Sequence, residues 1–345
     1  MATPTQTLPP NPMPIFEALN AYQRSAALKA AIELDVFTGI GEGSDNVESL
    51  AKRCVASERG IRILCDFLAI QGFLTKQDHR YALTPTSAVF LDRRSAKYMG
   101  TVARFLNAPV QLKHFEQLAS AVRTGRTSTP VNEDGSFGDD NAHWAEFARS
   151  MAPMAAIVGE LTAGVVGASA GAAWKVLDIA AGHGMYGIAI ARRNPSAEIV
   201  AVDWPQVLEV ARENAGKAGV SARHRGISGS AFEVDFGADY DLALLTGFLH
   251  HFDPQTNEKL LGRVYRALKP GGRAVVIDFV PNEDRVSPPA AAAFGLAMLA
   301  NTTAGDTYTF AELERMLRNA GFERSELHRL PPAPQSAVIS YKQTA

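Results

Sequence analysis

The sequence predicts an α/β protein: a seven-stranded, mostly parallel sheet covered by helices, preceded by a smaller, mostly helical domain. Three observations carry this. From Ala173 onward, apolar runs of strand length alternate with amphipathic runs of helix length, the pattern that builds a parallel sheet. One junction, Lys175-Val176-Leu177-Asp178-Ile179-Ala180-Ala181-Gly182-His183-Gly184-Met185-Tyr186-Gly187, runs through an apolar stretch, an acid, a glycine-rich turn and an amphipathic stretch. At 345 residues the chain is also long for one core, so two domains are expected.

The smaller domain is read over residues 1–100. Ile15 to Phe37 reads as one helix, with Phe16, Leu19, Tyr22, Ala26 and Ala30 at helical spacing. Its second half, Ala27 to Phe37, is apolar on more than one face, which implies burial both in its own domain and against a partner surface. Ser44, Asp45 and Asn46 offer caps for a helix over Val47–Val55, and a helix over Ser57–Gln71 stops at Gly72. Phe73–Thr75 and Arg80–Thr84 flank a polar turn as a β-hairpin. Helix, helix and hairpin form a winged-helix order, which often binds DNA. Here Arg59, Arg62 and Asp66 sit among Ile61, Ile63, Leu64 and Leu68, so the second helix reads as core-facing and a structural or dimerising role is favoured.

Residues 101–345 are read as the second domain, with 101–170 a helical segment leading into the sheet. Ala96–Val122 suggests two helices, Arg123–Asp140 a polar loop, and Asn141–Val166 a helix with Trp144, Phe147, Met151, Met154 and Ile157. Such a stripe ordinarily packs a core. Its place just before the sheet also allows Met151 and Met154 to face a substrate. Strands follow at Lys175–Ile179, Glu198–Val202, Ala222–Arg225, Tyr240–Leu245 and Arg273–Phe279, with helices near Met185–Arg193, Pro205–Ala218 and Thr256–Leu268. Thr309 to Glu312 is a capping-box start to a helix ending at Gly321. A closing hairpin, Arg324–Arg329 and Ser336–Lys342, completes seven strands.

Composition narrows the function classes. A net charge of −2 gives no support for a nucleic-acid or anionic-membrane partner. Two cysteines, Cys54 and Cys65, provide no disulfide framework and fit a reducing cytoplasm. Met1–Pro14 lacks a signal pattern, and the apolar run Ala290–Ala300 is too short to span a bilayer.

The glycine-rich turn lets backbone approach a ligand closely, and the free N–H groups opening the next helix favour electronegative ligand atoms. Asp203, at the tip of the following strand, can take both hydroxyls of a ribose. An adenosine-containing cofactor is therefore expected. Gly182, Gly184 and Gly187 also match a dinucleotide fingerprint, but Asp178 would place negative charge beside a pyrophosphate, whereas it suits a ligand carrying an amino group and a sulfonium. The stretch resembles motif I of the class I S-adenosylmethionine (SAM)-dependent methyltransferases, whose domain is a seven-stranded Rossmann-like sheet. On that resemblance the cofactor is SAM, held by Asp178, Gly182, Gly184, Asp203 and Trp204. Gly229, Ser230, Ala231 and Phe232, after the third strand, would close over the adenine, although Phe232 could equally be ordinary packing.

Two more strand ends carry candidate chemistry, Thr246-Gly247-Phe248-Leu249-His250-His251-Phe252-Asp253-Pro254 and Asp278-Phe279-Val280-Pro281-Asn282. Adjacent histidines usually diverge and the usual metal-ligand spacings are missing, so no metal is expected. A histidine that merely caps the next helix is the plain alternative. From about Pro14 to the end the chain resembles the small-molecule O-methyltransferases of the acetylserotonin and caffeic acid type, homodimers with an N-terminal winged-helix dimerisation domain. The resemblance implies His250 as general base on the acceptor hydroxyl and Asp278 as the acid that orients it. It also implies His251 where the family has Asp, Phe252 where it has Trp, and Thr307 where it has a second acid, with Asp306 alongside. These departures leave O- and C-methylation both open. Met151, Met154, Phe248, His251, Phe294, Met298 and Asn301 are candidates for the acceptor pocket. Rivals from other classes are a SAM-sensing winged-helix regulator, which a gel shift would reveal, and an NAD oxidoreductase, which would bind NADH.

Overall fold

The computed structural model describes residues 10–129 and 142–344. The chain divides into two compact units, residues 1–107 and 108–345.

The first unit contains α1 (Met13–Glu33), α2 (Val36–Gly41), α3 (Val47–Arg53), α4 (Glu58–Ile70), the hairpin β1 (Leu74–Gln77) and β2 (Arg80–Leu83), α5 (Pro85–Phe90) and α6 (Val102–Leu106). Asn46 and Ser57 cap α3 and α4 by accepting from Ser49 N and Gly60 N. The single helix expected over Ile15–Phe37 is broken. Asp35 takes a left-handed conformation, φ +58°, and its carboxylate is held by Arg53 at 3.0 Å and Arg93 at 2.8 Å. That break turns α2 into the domain, so Ala31, Val36 and Phe37 join Leu50, Ile61, Cys65, Leu68, Leu74 and Tyr81 in one core. Of the apolar residues in Ala27–Phe37, Ala31, Val36 and Phe37 are buried, Ala27, Leu28, Ala30 and Ile32 are half-buried, and Leu34 is exposed. More exposed apolar residues lie earlier on α1, where Met13, Ile15, Phe16, Leu19 and Tyr22 are each more than half exposed.

The second unit opens with three helices, α7 (Pro109–Glu116), α8 (Leu118–Thr124) and α9 (Ala142–Val165). The Ala96–Val122 stretch expected as two helices therefore yields three short ones, α6 to α8, divided at Pro109 and Gln117. Much of the expected Arg123–Asp140 loop, and Asn141 with it, lies outside the described residues. The sheet strands are β3 (Lys175–Ile179), β4 (Glu198–Asp203), β5 (His224–Ser228), β6 (Tyr240–Thr246), β7 (Leu268–Asp278), β8 (Arg324–Arg329) and β9 (Ser336–Tyr341). The connecting helices are α10 (Met185–Arg193), α11 (Pro205–Lys217), α12 (Pro254–Ala267), α13 (Pro289–Asn301) and α14 (Phe310–Asn319). Strand order is β5-β4-β3-β6-β7-β9-β8, with β9 antiparallel to both neighbours.

Two local readings shift. A turn of 3₁₀ helix, Ser221–Arg223, occupies the start of the expected third strand, which runs from His224 to Ser228 instead. The apolar run near Ala290 is α13, which the sequence reading did not count as an element.

Each sheet face has its own core, which is why the central strands read as continuous apolar runs. The chain leaves β3 towards β4 and later returns to its other side as β6, so strand order reverses at β3. The crevice beyond the carboxyl ends of β3 and β4 is the ligand position in such sheets. Asp178, paired in register with Ala201 and Leu244, and Asp203 stand there.

Candidate active site

Asp203 ends β4, half-buried, and ties the glycine loop to the strand. Gly182 N donates to its Oδ2 and Trp204 N to its Oδ1, each at 2.8 Å. Burial pushes its carboxyl up to about 6 even against those two bonds. Each carboxylate oxygen keeps a further lone pair for a ligand hydroxyl. Gly182 has φ +57°, and a Cβ there would enter open space, its nearest neighbour being Ala180 O at 3.9 Å. The loop thus needs glycine for its conformation and leaves clear room on the ligand side. Trp204, at the N-cap of α11, packs with Ala148, Val207 and Val210.

Asp178 lies within β3 and is fully buried. Its Oδ2 accepts from Gly187 N at 3.2 Å, while Oδ1 has no hydrogen-bond partner among the described residues. Burial, with the nearby negative charge of Asp203 adding to it, pushes Asp178 up to about 8. A buried carboxyl with an orphaned oxygen is costly unless positive charge comes close. A ligand with an amino group and a sulfonium meets that need, and a pyrophosphate would aggravate it. The site therefore fits SAM. Two features of the loop were missed in the sequence. Gly187 is required by packing, since a Cβ there would stand 2.7 Å from Ile199 Cγ2 and 2.9 Å from Asp178 Oδ2. His183 is buried, and burial lowers its pKa to about 4, so it is neutral.

After β5, Gly229 has φ +133° and a Cβ there would clash with Val234. Ser230 and Ala231 are buried beside it. Phe232 packs against Phe252 and Phe248, with ring centroids 5.0 and 6.2 Å away, so its ring belongs to an aromatic cluster. Phe248 is the third member, 5.0 Å from Phe252.

The turn after β6 carries the histidines. His250 Nδ1 lies 2.7 Å from Asp278 Oδ1, and both side chains are under a tenth exposed. Asp278 ends β7, the neighbour of β6, so two parallel strands bring together groups 28 residues apart. Nε2 of His250 has no hydrogen bond among the described residues. An aspartate at Nδ1 selects the tautomer with a proton there, which leaves Nε2 as acceptor and stabilises the imidazolium once Nε2 takes a proton.

The turn is braced from several directions that local sequence does not disclose. Asn257 Nδ2, on α12, donates to Leu249 O at 2.9 Å and Phe252 O at 3.2 Å. Tyr308 donates its hydroxyl to Phe252 O. Gly305 packs its Cα against the His250 carbonyl, where no side chain would fit.

The expected acceptor residues divide. On α13, Phe294 stacks on Phe279 at 3.9 Å and meets the His250 ring edge-on at 5.0 Å. Met298 is buried on the same helical face. Asn301 Oδ1 lies 2.6 Å from His114 Nδ1, a partner that the sequence did not suggest. Met151 is buried and Met154 half-buried on α9, which packs on α10 and α11. Trp144 is the α9 residue that reaches the histidines, with its ring edge-on to His251 at 5.5 Å. His251 departs from expectation, because its ring does not diverge from His250 and the centroids are 4.4 Å apart. Burial, and then the adjacent His250, hold the His251 pKa well below the usual histidine range. Thr307 is buried, whereas exposed Asp306 turns to Arg285 at 3.6 Å.

Comparison with known proteins agrees with this geometry. The O-methyltransferase domain family matches residues 115–323, and the O-methyltransferase dimerisation domain family matches residues 16–93. The solved structure of a candidate O-methyltransferase from Nostoc punctiforme is 50% identical, with a TM-score of 0.91, covering 97% of this chain and 100% of that one. The 3-hydroxy-5-methyl-1-naphthoate 3-O-methyltransferase of Streptomyces sahachiroi is 28% identical over 92% of this chain and 91% of its own. The L-tyrosine C(3)-methyltransferase of Streptomyces lavendulae is 26% identical over 91% and 88%. The chain therefore belongs to the SAM-dependent O-methyltransferase family, as an O-methyltransferase domain preceded by that family's dimerisation domain.

Proposed function

We propose that the protein O-methylates a small aromatic or enolic hydroxyl, with His250 as general base and Asp278 orienting it. The observation that carries this is the buried 2.7 Å contact between His250 Nδ1 and Asp278 Oδ1, on the strand ends beside the cofactor crevice. When bound, SAM supplies a methyl group on a positively charged sulfur. Asp203 and Gly182 would hold its ribose, and Asp178 would offset its positive charge. His250 Nε2 is placed to take the proton of the acceptor hydroxyl, whose oxygen would receive the methyl group that SAM supplies. Asp278 then faces an imidazolium. Because the leaving sulfur sheds its charge, alignment and proton removal account for most of the rate. His250→Ala should lower turnover by roughly 10²–10⁴-fold. S-adenosylhomocysteine affinity should be unchanged by calorimetry. A variant that keeps its rate on a phenol refutes the base.

C-methylation is the second reading, favoured by the tyrosine C-methylating relative. A methyl carbon bonded to ring carbon in the NMR spectrum of the product decides for it. The dimerisation domain leads us to infer a homodimer, and the likeness to bacterial biosynthetic methyltransferases a place in the cytoplasm. The dimer contact is the apolar surface of α1, the exposed Met13, Ile15, Phe16, Leu19 and Tyr22 together with the half-buried Ala27, Leu28, Ala30 and Ile32. A monomer in sedimentation at micromolar concentration excludes it. No helix among the described residues is long and apolar enough to cross a membrane.

A further inference from the structure

His251 has no task in the chemistry above, yet it stands beside the base. Its ring centroid lies 4.4 Å from that of His250, tilted by 47°, and Trp144 closes on it edge-on at 86°. His250 is committed through Nδ1 to Asp278. The His251 side chain makes no hydrogen bond or ion pair among the described residues, and its backbone N–H donates to Phe248 O. Neither of its nitrogens is one of the polar atoms sealed from solvent without a partner. Next to the base, its ring is held by aromatic contacts, and its ring nitrogens have no hydrogen-bond partner among the described residues. Being neutral, it offers one N–H donor and one acceptor nitrogen, and no charge. Such a group recognises a hydroxyl or carbonyl oxygen and gains nothing special from a carboxylate or phosphate.

We propose that His251 determines acceptor specificity by hydrogen bonding a second oxygen, on the carbon next to the one bearing the reactive hydroxyl. The inference rests on His250 as the base. Two imidazoles in van der Waals reach of each other can serve two oxygens on neighbouring ring carbons, but not two oxygens on opposite sides of a ring system. The acceptor class is therefore an aromatic or enolic hydroxyl flanked by a hydroxyl or carbonyl. One oxygen gives its proton to Nε2 of His250 and the other is fixed by His251, which aligns the first for methyl transfer.

The test compares 2,3-dihydroxynaphthalene with its 2,7 isomer, which has the same number of equivalent hydroxyls but no flanking oxygen. The native enzyme should favour the 2,3 isomer by about tenfold or more in kcat/KM, the effect of one well-placed hydrogen bond. His251→Phe should bring the kcat/KM values of the two isomers together, and His251→Asn should restore part of the preference. If His251→Phe fails to bind S-adenosylhomocysteine, His251→Leu serves in the same comparison. Equal use of both isomers by the native enzyme, turnover of neither, or an equal loss on both in the His251 variants overturns the proposal. The base reading fails separately, through a His250→Ala enzyme that still turns over both isomers.

Discussion

Replacing Asp203 isolates the grip on the cofactor. Its carboxylate does two jobs, accepting from Gly182 N and Trp204 N at 2.8 Å while keeping lone pairs for the ribose. Asp203→Ala removes a charge-assisted pair of bonds and also releases the glycine loop, so SAM affinity should fall by about 2–4 kcal/mol, roughly 30- to 900-fold. Asp203→Asn keeps the size but must aim its amide N–H at one of those two backbone donors, so it should lose affinity too, by less. The pH response has a definite sign. Burial sets Asp203 at about 6, so the free enzyme loses the carboxylate as pH drops through that value, and SAM binding should weaken on the acid side. Calorimetric titration between pH 5 and 8 reads both effects. Turnover at saturating SAM should stay near native in the variants, because His250 and Asp278 are untouched. An Asp203→Ala protein with native SAM affinity refutes the ribose role.

Gly187→Ala gains up to about 1 kcal/mol in helix propensity but drives a Cβ into Ile199 and Asp178. Overpacking costs about 1–3 kcal/mol, so denaturant titration should show net destabilisation together with weaker SAM binding. Asp178→Asn should stabilise the free protein at pH 8 while weakening SAM binding. Asp178 titrates at about 8 in the folded chain against 3.8 without burial, so this residue reduces folded-state stability as pH rises through that window. Thermal melts should therefore show no advantage for the variant below about pH 4, and a gain at pH 8 that is missing places the cost elsewhere. Tyr308→Phe deletes the bond to Phe252 O without changing volume, which should lower kcat several-fold while leaving KM for SAM unchanged. An unchanged kcat shows that the other braces hold the base turn alone.

The sheet and the cofactor loop were legible because their determinants are contiguous. Lys175 to Gly187 specifies a strand, a turn with positive φ and a helix start, and Asp203 follows one strand later, so no distant contact is needed to see them. Asp278 required more. Its place opposite His250 follows from parallel neighbours with short loops, which the family resemblance anticipated. The break at Asp35 was not visible, because a left-handed residue pinned by Arg53 and Arg93 depends on charges far along the chain, while the local pattern still reads as helix. For the same reason apolar density at Ala27–Phe37 could not be separated into core and surface, since periodicity gives faces but not what covers them. His251 was misjudged because adjacent side chains diverge on a strand or helix, whereas the tight turn at Leu249–His251 swings both rings to one side. Trp144, Asn257, Gly305 and Tyr308 converge on that turn from α9, α12 and the segment before α14. Only chain closure in three dimensions assigns them to it, because no sequence period links residues brought together from separate elements.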